Sequence, residues 1–168
     1  MKSNHYTHSL YYKLLIGYLI FGLLGFITIA TISSEMTYHH LVERESEVLY
    51  DEATMIADRC SKAYEGKTIN LDSAYPQIEA VSAYLQSDIW ILNHEGTIVA
   101  DSSDSRTGIA INDFDPTAQG NRLYSIGQYY NLFDSKVLSV YAPITGNMKT
   151  YGYIVIHMPI QNIEAEQN

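Results

Sequence analysis

An uninterrupted apolar stretch near the N-terminus constrains this sequence more than any other feature. The 19 residues from Leu14 to Ile32, LLIGYLIFGLLGFITIATI, include no charged side chain. As an α-helix this stretch would be roughly 28 Å long, which matches the ~30 Å hydrocarbon core of a bilayer. A helix is required there because lipid offers the backbone no hydrogen-bond partners. The sequence therefore predicts a transmembrane helix over residues 14–34.

The charged residues are distributed unevenly on the two sides of this stretch. Only Lys2 and Lys13 are charged before Glu35, whereas the residues from Glu35 onward include 8 basic and all 19 acidic side chains. Because basic residues next to a membrane helix stay in the cytoplasm, we expect residues 1–13 to be cytoplasmic and residues 35–168 to lie outside the cell. The alternative is a cleaved signal peptide, whose apolar core is usually ~7–15 residues long and is followed by a small-residue cleavage site.

The composition and motifs disfavour several classes of protein. A net charge of −9 argues against binding to nucleic acid, which requires a basic surface, and Cys60 is the single cysteine. The sequence contains none of the hydrolase, metalloprotease or P-loop motifs, so we predict no catalytic residue and no cofactor. The acidic residues Asp101, Asp104, Asp113 and Asp115 offer oxygen ligands, but their spacing does not fit an EF-hand, and no metal site is predicted.

Two helices are predicted after the membrane segment. Residues 35–65 contain neither Gly nor Pro and indicate one long helix that ends at Gly66. Its small and apolar residues recur in steps of four and three, which is typical of a helix packing against a partner. They are Val42, Ser46, Leu49, Ala53, Ile56, Cys60 and Ala63. The partner is either the sheet of the same domain or a second copy of the chain, and Leu41, Val48 and Met55 form a second row beside the first. A shorter helix is expected over residues 72–86, with Pro76 in its first turn.

Five strands complete the expected domain. Their predicted ranges are 89–93, 97–101, 122–127, 137–143 and 151–158, with Gly96 in the turn of the first hairpin. Residues 102–121 are rich in Ser, Asp, Gly and Asn and indicate a long loop. The predicted fold class is therefore α+β, with an antiparallel sheet in a domain spanning residues 35–160.

Alternation along the last strands separates an aliphatic face from an aromatic and polar face. The aliphatic face is expected to pack on the long helix, and the loop 102–121 would cover the other face. A covered aromatic surface with a few polar anchors suits a small-molecule ligand, although a solvated face rich in tyrosine has the same pattern. The candidate ligand-binding residues are Asp101, Arg122, Tyr124, Ser139, Tyr141, Tyr153 and His157.

These segments together resemble the input region of a bacterial sensor histidine kinase with a single Cache domain, a PAS-like extracytoplasmic fold. The resemblance covers residues 10–163 and is carried by the post-membrane helix, the hairpin IWILNHEGTIVADSS with Asn93 and Gly96, and the strands VLSVYAPI and YGYIVIHMPI. It implies a five-stranded sheet behind a long helix and a signalling role in a two-component system. The amino-acid-binding signature of double Cache sensors is not matched.

The resemblance also implies partners and a continuation of the chain. A small-molecule ligand, membrane lipid, a second copy of the chain in a homodimer, and the response regulator of the intact kinase are the expected partners. Residues 161–168 would lead to a second membrane helix and a kinase core, which this sequence does not include. The alternatives are a chemoreceptor, a cyclic-dinucleotide enzyme, or a self-contained membrane-tethered binding protein or enzyme.

Overall fold

A computed structural model describes residues 5–62, 64–65, 68–69, 71–116 and 124–165. The chain divides into two compact units, of which the first ends at Leu41 and the second begins at Val42. The helices are α1 (His5–Lys62), α2 (Leu71–Leu85) and α3 (Ile160–Ala165), and the strands are β1 (Tyr64–Glu65), β2 (Thr68–Ile69), β3 (Asp88–Asn93), β4 (Ile98–Asp101), β5 (Tyr124–Gly127), β6 (Val137–Gly146) and β7 (Lys149–Pro159).

In the first unit, α1 carries the apolar stretch. Its side chains from Leu10 to Thr37 are exposed. By length and composition α1 can cross a membrane. The segment predicted to cross the membrane is therefore helical, and no other described residue covers its apolar surface.

In the second unit, the stripe predicted from the 4–3 spacing is buried. Val42, Ser46, Leu49, Ala53, Ile56 and Cys60 are all at most 6% exposed. Burial also raises the pKa of the Cys60 thiol to about 11, as expected of a packed and unreactive cysteine. The single chain thus buries this stripe within its own fold. Ala63, the last member of the predicted stripe, lies outside the described residues.

Two boundaries differ from the sequence prediction. The helix ends at Lys62 rather than at Gly66, because Tyr64–Glu65 and Thr68–Ile69 pair as a short antiparallel hairpin that the sequence analysis did not anticipate. Helix α2 begins at Leu71, so Pro76 is its sixth residue. The expectation that Pro76 lies in the first turn is therefore wrong.

The main sheet has five antiparallel strands in the order β4-β3-β7-β6-β5, which confirms the predicted α+β class. The long central pair β6–β7 is joined by a tight turn at Asn147 and Met148, both with positive φ (50° and 60°). Strand β3 pairs with β7 from Asp88 opposite His157 to Asn93 opposite Gly152, so the first hairpin lies beside the last strand.

The register assigns the side chains to the two faces of the sheet. Ile89, Ile91, Leu138, Val140, Ala142, Ile154, Ile156 and Met158 are buried on one face, as the alternation predicted. The buried stripe of α1 and Ile78 of α2 are apolar surfaces of the same unit, and the hydroxyl of Ser61 in α1 donates to the carbonyl of Thr145 in β6. Burying these aliphatic surfaces together is the main hydrophobic stabilisation of the unit.

Candidate functional site

The opposite face of the sheet is covered by loops, as the sequence analysis expected. Trp90, Leu92 and Val155 from the strands form one buried cluster with Ile111 from the loop after β4 and Tyr129 from the loop after β5. Of the predicted covering loop, residues 102–116 are described, and its last part lies outside the described residues. The second covering loop, which connects β5 and β6, was missed.

The first loop is held against the sheet edge by backbone hydrogen bonds. The amide of Ile98 donates to the carbonyl of Ile109 (2.9 Å), and the amide of Ile111 donates to the carbonyl of Gly96 (3.0 Å). The hairpin turn is in turn organised by Asn93, whose side-chain oxygen accepts from the amides of Glu95 (3.0 Å) and Thr97 (2.9 Å). These bonds let the loop return along β4 and bring Ile111 over the aromatic face.

Aromatic rings fill most of the space beneath the two loops. The ring of Trp90 stacks on Phe133 with a centroid separation of 5.3 Å and contacts the edge of His157 at 4.2 Å. His157 also lies 4.3 Å from Tyr129 and 4.9 Å from Phe133. The guanidinium of Arg106 lies over both stacked rings, 4.7 Å from the Phe133 centroid and 5.4 Å from that of Trp90. His157 is thus enclosed by three aromatic side chains.

The buried histidine is paired on one side only. Its Nδ1 lies 2.8 Å from the Ser139 hydroxyl, whereas its Nε2 has no hydrogen-bond partner among the described residues. Burial lowers the pKa of His157 well below its usual value, and the positive charge of Arg106 lowers it further. His157 is therefore neutral, with one ring nitrogen unsatisfied.

The candidate residues from the sequence have different environments in the structure. Tyr141 packs against Tyr129, and its hydroxyl lies 3.1 Å from that of Ser125, while Tyr153 packs against Phe114. Burial raises the pKa of Tyr141, so its hydroxyl stays protonated at neutral pH. Tyr141 and Tyr153 are therefore walls of the covered face, as expected.

One of the candidates lies on the other face of the sheet, and another falls outside the described residues. Tyr124 lies opposite Val140, on the aliphatic face, and its neighbour Ser125 is the residue that points toward Tyr141. The expectation that Tyr124 faces the aromatic cluster was therefore wrong, because Tyr124 shares the face of Val140, the residue opposite it. Arg122 lies outside the described residues.

The carboxylate of Asp101 is enclosed by the loop that follows it and is not exposed to a ligand. Its fully buried carboxylate accepts hydrogen bonds from the amides of Ser103 (3.0 Å), Ser105 (3.2 Å) and Arg106 (3.0 Å). The carboxylate therefore folds the start of the covering loop around itself. Its expected role as a ligand contact has no support in this arrangement, because its oxygens are already used.

A cavity of about 250 Å³ remains next to His157, at the end of the aromatic cluster. It lies between the C-terminal end of α2 and the strands β3, β6 and β7, and its lining residues are Ser82, Gln86, Ser87, Asp88, Phe133, Val137, His157 and Pro159. Of the sequence candidates, only His157 lines it. Ser87, Asp88 and Phe133 were missed, although Asp88 and Trp90 alternate with the buried aliphatic residues of β3 and could have been assigned to this face.

Similarity to solved structures is found for the fold. The sensory domain of the Campylobacter jejuni chemoreceptor Tlp3 (CcmL) aligns with a TM-score of 0.58 at 10% identity, over 77% of this chain and 59% of that one. The ligand-binding domain of the same receptor in complex with 4-methylisoleucine gives 0.56 at 10% identity, over 77% and 57%. The chain therefore spans less than two thirds of those domains and has the fold of a sensory ligand-binding domain.

A third likeness is lower and no sequence relative is found. The sensor domain of the V. cholerae histidine kinase DctB aligns with a TM-score of 0.42 at 19% identity, over 56% of this chain and 40% of that one. No protein-family model and no curated protein matches the sequence.

Proposed function

We propose that this chain is the extracytoplasmic, small-molecule-sensing input region of a membrane-bound receptor, with residues 1–13 in the cytoplasm and residues 35–168 outside the cell. Three observations support the proposal: the fold is that of sensory ligand-binding domains, α1 is able to cross a membrane, and basic residues precede the apolar stretch whereas acidic residues follow it.

The proposed sensing role rests on the loop-covered face of the sheet. Folded domains leave only a few buried polar atoms without a hydrogen-bond partner, and each such atom calls for an explanation. Here the Nε2 of His157 and the hydroxyl of Ser87 are buried without a partner among the described residues, and both residues line the cavity. An unsatisfied buried polar atom costs about 1–3 kcal/mol, which a ligand offering a hydrogen bond would recover.

A signal requires that the ligand favour one of two conformations. A ligand shifts an equilibrium only by its difference in affinity for the two states. Val137 of β6 lines the cavity, and the hydroxyl of Ser61 at the end of α1 donates to the carbonyl of Thr145 in the same strand, so a ligand that moves β6 can alter the packing of α1. We infer that this movement is transmitted along α1 toward the membrane.

The output is proposed to be a histidine kinase that phosphorylates a response regulator, on the resemblance of the hairpin and final strands to such sensors. A chemoreceptor is the second candidate, since the two likenesses described above with TM-scores above 0.5 are to a chemoreceptor. Translating the gene beyond codon 168 separates them. A second apolar span followed by a phosphoacceptor histidine and an ATP-binding core supports the kinase, and a long methyl-accepting helical hairpin supports the chemoreceptor.

The orientation is tested by labelling single cysteines in intact cells. In a Cys60→Ala background, Met148→Cys places a thiol on the exposed β6–β7 turn, and Ser3→Cys places one before the apolar stretch. A membrane-impermeant maleimide is expected to label Met148→Cys in intact cells and Ser3→Cys only after permeabilisation. The opposite pattern, or a mature chain that lacks residues 1–34, contradicts the proposed anchor.

Sensing is tested by thermal-shift screening of the full chain in detergent against metabolite sets. A ligand is expected to raise Tm for the wild type and to have a reduced effect on His157→Phe, which fills the ring volume but provides no hydrogen bond. Ligands that raise Tm equally in the wild type and in His157→Phe would show that the binding site lies outside this cavity.

A further inference from the structure

We propose that the cavity next to His157 binds a small uncharged carbonyl compound, whose oxygen accepts a hydrogen bond from the ring Nε2–H of His157 and which also hydrogen-bonds the hydroxyl of Ser87. This inference deepens the proposed sensing function and rests on it. It adds the chemical class of the ligand, which follows from the free hydrogen-bonding groups of the cavity, the charge of its walls and its size.

The direction of the free hydrogen bond at His157 follows from counting partners. If the Ser139 hydroxyl donates to Nδ1, the ring proton is on Nε2, and that N–H is the one unsatisfied group. If Nδ1 donated instead, both the Ser139 proton and the Nε2 lone pair would lack partners, because Ser139 has no other described hydrogen bond and is 1% exposed. The first arrangement leaves fewer buried unsatisfied groups. His157 therefore presents an N–H donor to the cavity.

Ser87 supplies a second unsatisfied group in the same cavity. Its side-chain oxygen is buried without a partner among the described residues. Its backbone is fixed at the end of α2, because its amide donates to the carbonyl of Ser82 (3.1 Å) and its carbonyl accepts from the hydroxyl of Ser82 (2.7 Å). The position of the Ser87 hydroxyl is thus set by the helix end rather than by any bond of its own.

Two donor protons are therefore free in the cavity, one on His157 and one on Ser87. A carbonyl oxygen has two lone pairs and brings no proton of its own, so it matches donors of this kind. An alcohol would accept from His157 and donate to Ser87, which leaves the Ser87 proton unpaired. An ammonium group offers only donors and leaves the N–H of His157 unpaired.

The charge of the walls favours an uncharged ligand. Asp88 is the one charged side chain among the described residues that line the cavity, and the guanidinium of Arg106 pairs with it at 3.8 Å. The buried ring of His157 is neutral, as described above, so no unpaired charge faces the cavity. An ion that entered would lose hydration without gaining an opposite charge, which is unfavourable. A carboxylate would in addition face Asp88.

The remaining walls limit the ligand to a short carbon skeleton. Phe133, Val137 and Pro159 are the apolar lining residues, and about 250 Å³ lies just below the ~300–1,000 Å³ typical of pockets for drug-sized ligands. Gln86 is exposed and Asp88 is partly exposed, so the cavity is open to solvent at the end of α2. A small aliphatic amide or ketone fits these walls.

The test compares three probes that share one carbon skeleton and one number of heavy atoms. Isobutyramide is uncharged and has a carbonyl oxygen, isobutyrate is an anion, and isobutyramidine is a cation without an acceptor oxygen. Titration of the full chain in detergent, followed by the NMR signals of the His157 ring, is expected to show at least tenfold tighter binding of isobutyramide than of either ion. A smaller preference overturns the proposal. So does the absence of isobutyramide binding, which would mean that water alone satisfies the two groups.

The same spectra test the ring tautomer directly. The nitrogen chemical shifts of the His157 ring, assigned by their loss in His157→Phe, are expected to show the proton on Nε2 in the free protein. Isobutyramide is expected to move the signal of this proton downfield, because a carbonyl oxygen then accepts from it. A ring proton on Nδ1 would remove the donor from the cavity and overturn the proposal.

Ser87→Ala tests whether the probe binds in this cavity. Because the Ser87 hydroxyl has no partner among the described residues, its removal breaks no described hydrogen bond, and an unchanged Tm verifies this. The variant is expected to weaken isobutyramide at least threefold. Thr150→Val, which removes an exposed hydroxyl at the other end of β7 from His157, is the control and is expected to leave binding unchanged. Equal binding to Ser87→Ala and Thr150→Val overturns the site.

The ligand class can fail while the sensing function stands. An ionic metabolite that raises the Tm of the wild type, and raises that of His157→Phe less, would overturn the uncharged ligand and support sensing at this cavity. If no metabolite raises the Tm of the wild type, the sensing function and the ligand class both fail.

Discussion

The imidazole Nδ1 of His157 and the hydroxyl oxygen of Ser139 lie 2.8 Å apart on neighbouring strands, in a site with almost no exposed surface. The register of β6 and β7 places these two residues directly opposite each other. Because burial and Arg106 lower the pKa of His157 well below its usual value, the pair is stable only with a neutral ring. A side chain that must stay neutral makes the stability of the fold depend on pH.

The first prediction concerns this pH dependence. Below pH ~6.5 the unfolded chain binds a proton at His157 that the folded chain does not, so the free energy of unfolding falls as the pH decreases, by up to about 1.4 kcal/mol per pH unit. Urea unfolding at pH 7.5, 6.5 and 5.5 measures this slope. His157→Gln is expected to reduce it, and His94→Gln, in the exposed hairpin turn, is the control. An identical slope in His157→Gln and the wild type would contradict the assignment.

The second prediction uses two glycines with the same backbone conformation. Gly96 and Gly108 have φ values of 85° and 89°, but a Cβ on Gly96 would lie 2.5 Å from the Cβ of Phe114, whereas one on Gly108 meets nothing within 4 Å. We expect Gly108→Ala to cost about 1 kcal/mol of strain and Gly96→Ala at least about 2 kcal/mol, because it also displaces Phe114. Chemical unfolding measures both.

A double variant separates the contact from the strain. In a Phe114→Gly background, which removes the contacting Cβ together with the ring, the additional cost of Gly96→Ala is expected to decrease to that of Gly108→Ala. If Gly96→Ala lowers the free energy of unfolding by the same amount with and without Phe114, the contact between the hairpin turn and the covering loop is not the cause of the destabilisation.

The third prediction concerns the close pairing of β3 and β7. A Cβ on Gly152 would lie 2.1 Å from the carbonyl oxygen of Leu92, a backbone atom that cannot move without separating the two strands. Gly152→Ala is expected to destabilise the fold by more than about 3 kcal/mol and to reduce the soluble yield. Gly127→Ala, in strand β5 with nothing within 4 Å, is the matched control. Similar stability of the two variants would contradict this packing.

The fourth prediction concerns the loop that Asp101 organises. Asp101→Asn replaces one of two accepting oxygens with an NH₂ group that faces backbone donors, and leaving such donors unpaired costs about 2–4 kcal/mol. We expect the loop to open and trypsin to cleave after Arg106 at least tenfold faster. Asp104→Asn is the control, since Asp104 is exposed and its carboxylate has one described contact, from Thr107 at 3.3 Å. Equal cleavage rates in the two variants would contradict the structural role.

The fifth prediction concerns the expected homodimer. Val48 and Met55 belong to the second seven-spaced row, and both remain about half exposed beside the buried stripe. If this row is a dimer contact, Met55→Glu shifts the mass measured by light scattering in detergent toward the monomer. Met148→Glu, on the exposed β6–β7 turn, is the control. An unchanged dimer in Met55→Glu would place the contact elsewhere.

Local pattern was enough to predict α1, α2 and the five strands of the main sheet, but not the β1–β2 hairpin or α3. Hydropathy and length identified the apolar helix, the 4–3 spacing identified the stripe from Val42 to Cys60, and alternation identified the aliphatic face. These features depend on neighbours along the chain and on the fixed periods of helices and strands, so a sequence contains them directly. The site residues depend on which strands pair and where loops return, and for these the prediction was only partly right.

The apolar span, the α+β class and the two faces of the sheet therefore follow from residue order alone. Only the tertiary structure placed Tyr124 on the aliphatic face, enclosed Asp101 in its own loop, and brought Ser87, Asp88 and His157 to one cavity. Ser87 and His157 are 70 positions apart in the chain. The physical reason is that a shift of one residue in register moves every side chain of a strand to the other face, while the pattern along the chain stays the same. Packing against the rest of the domain selects between the two registers.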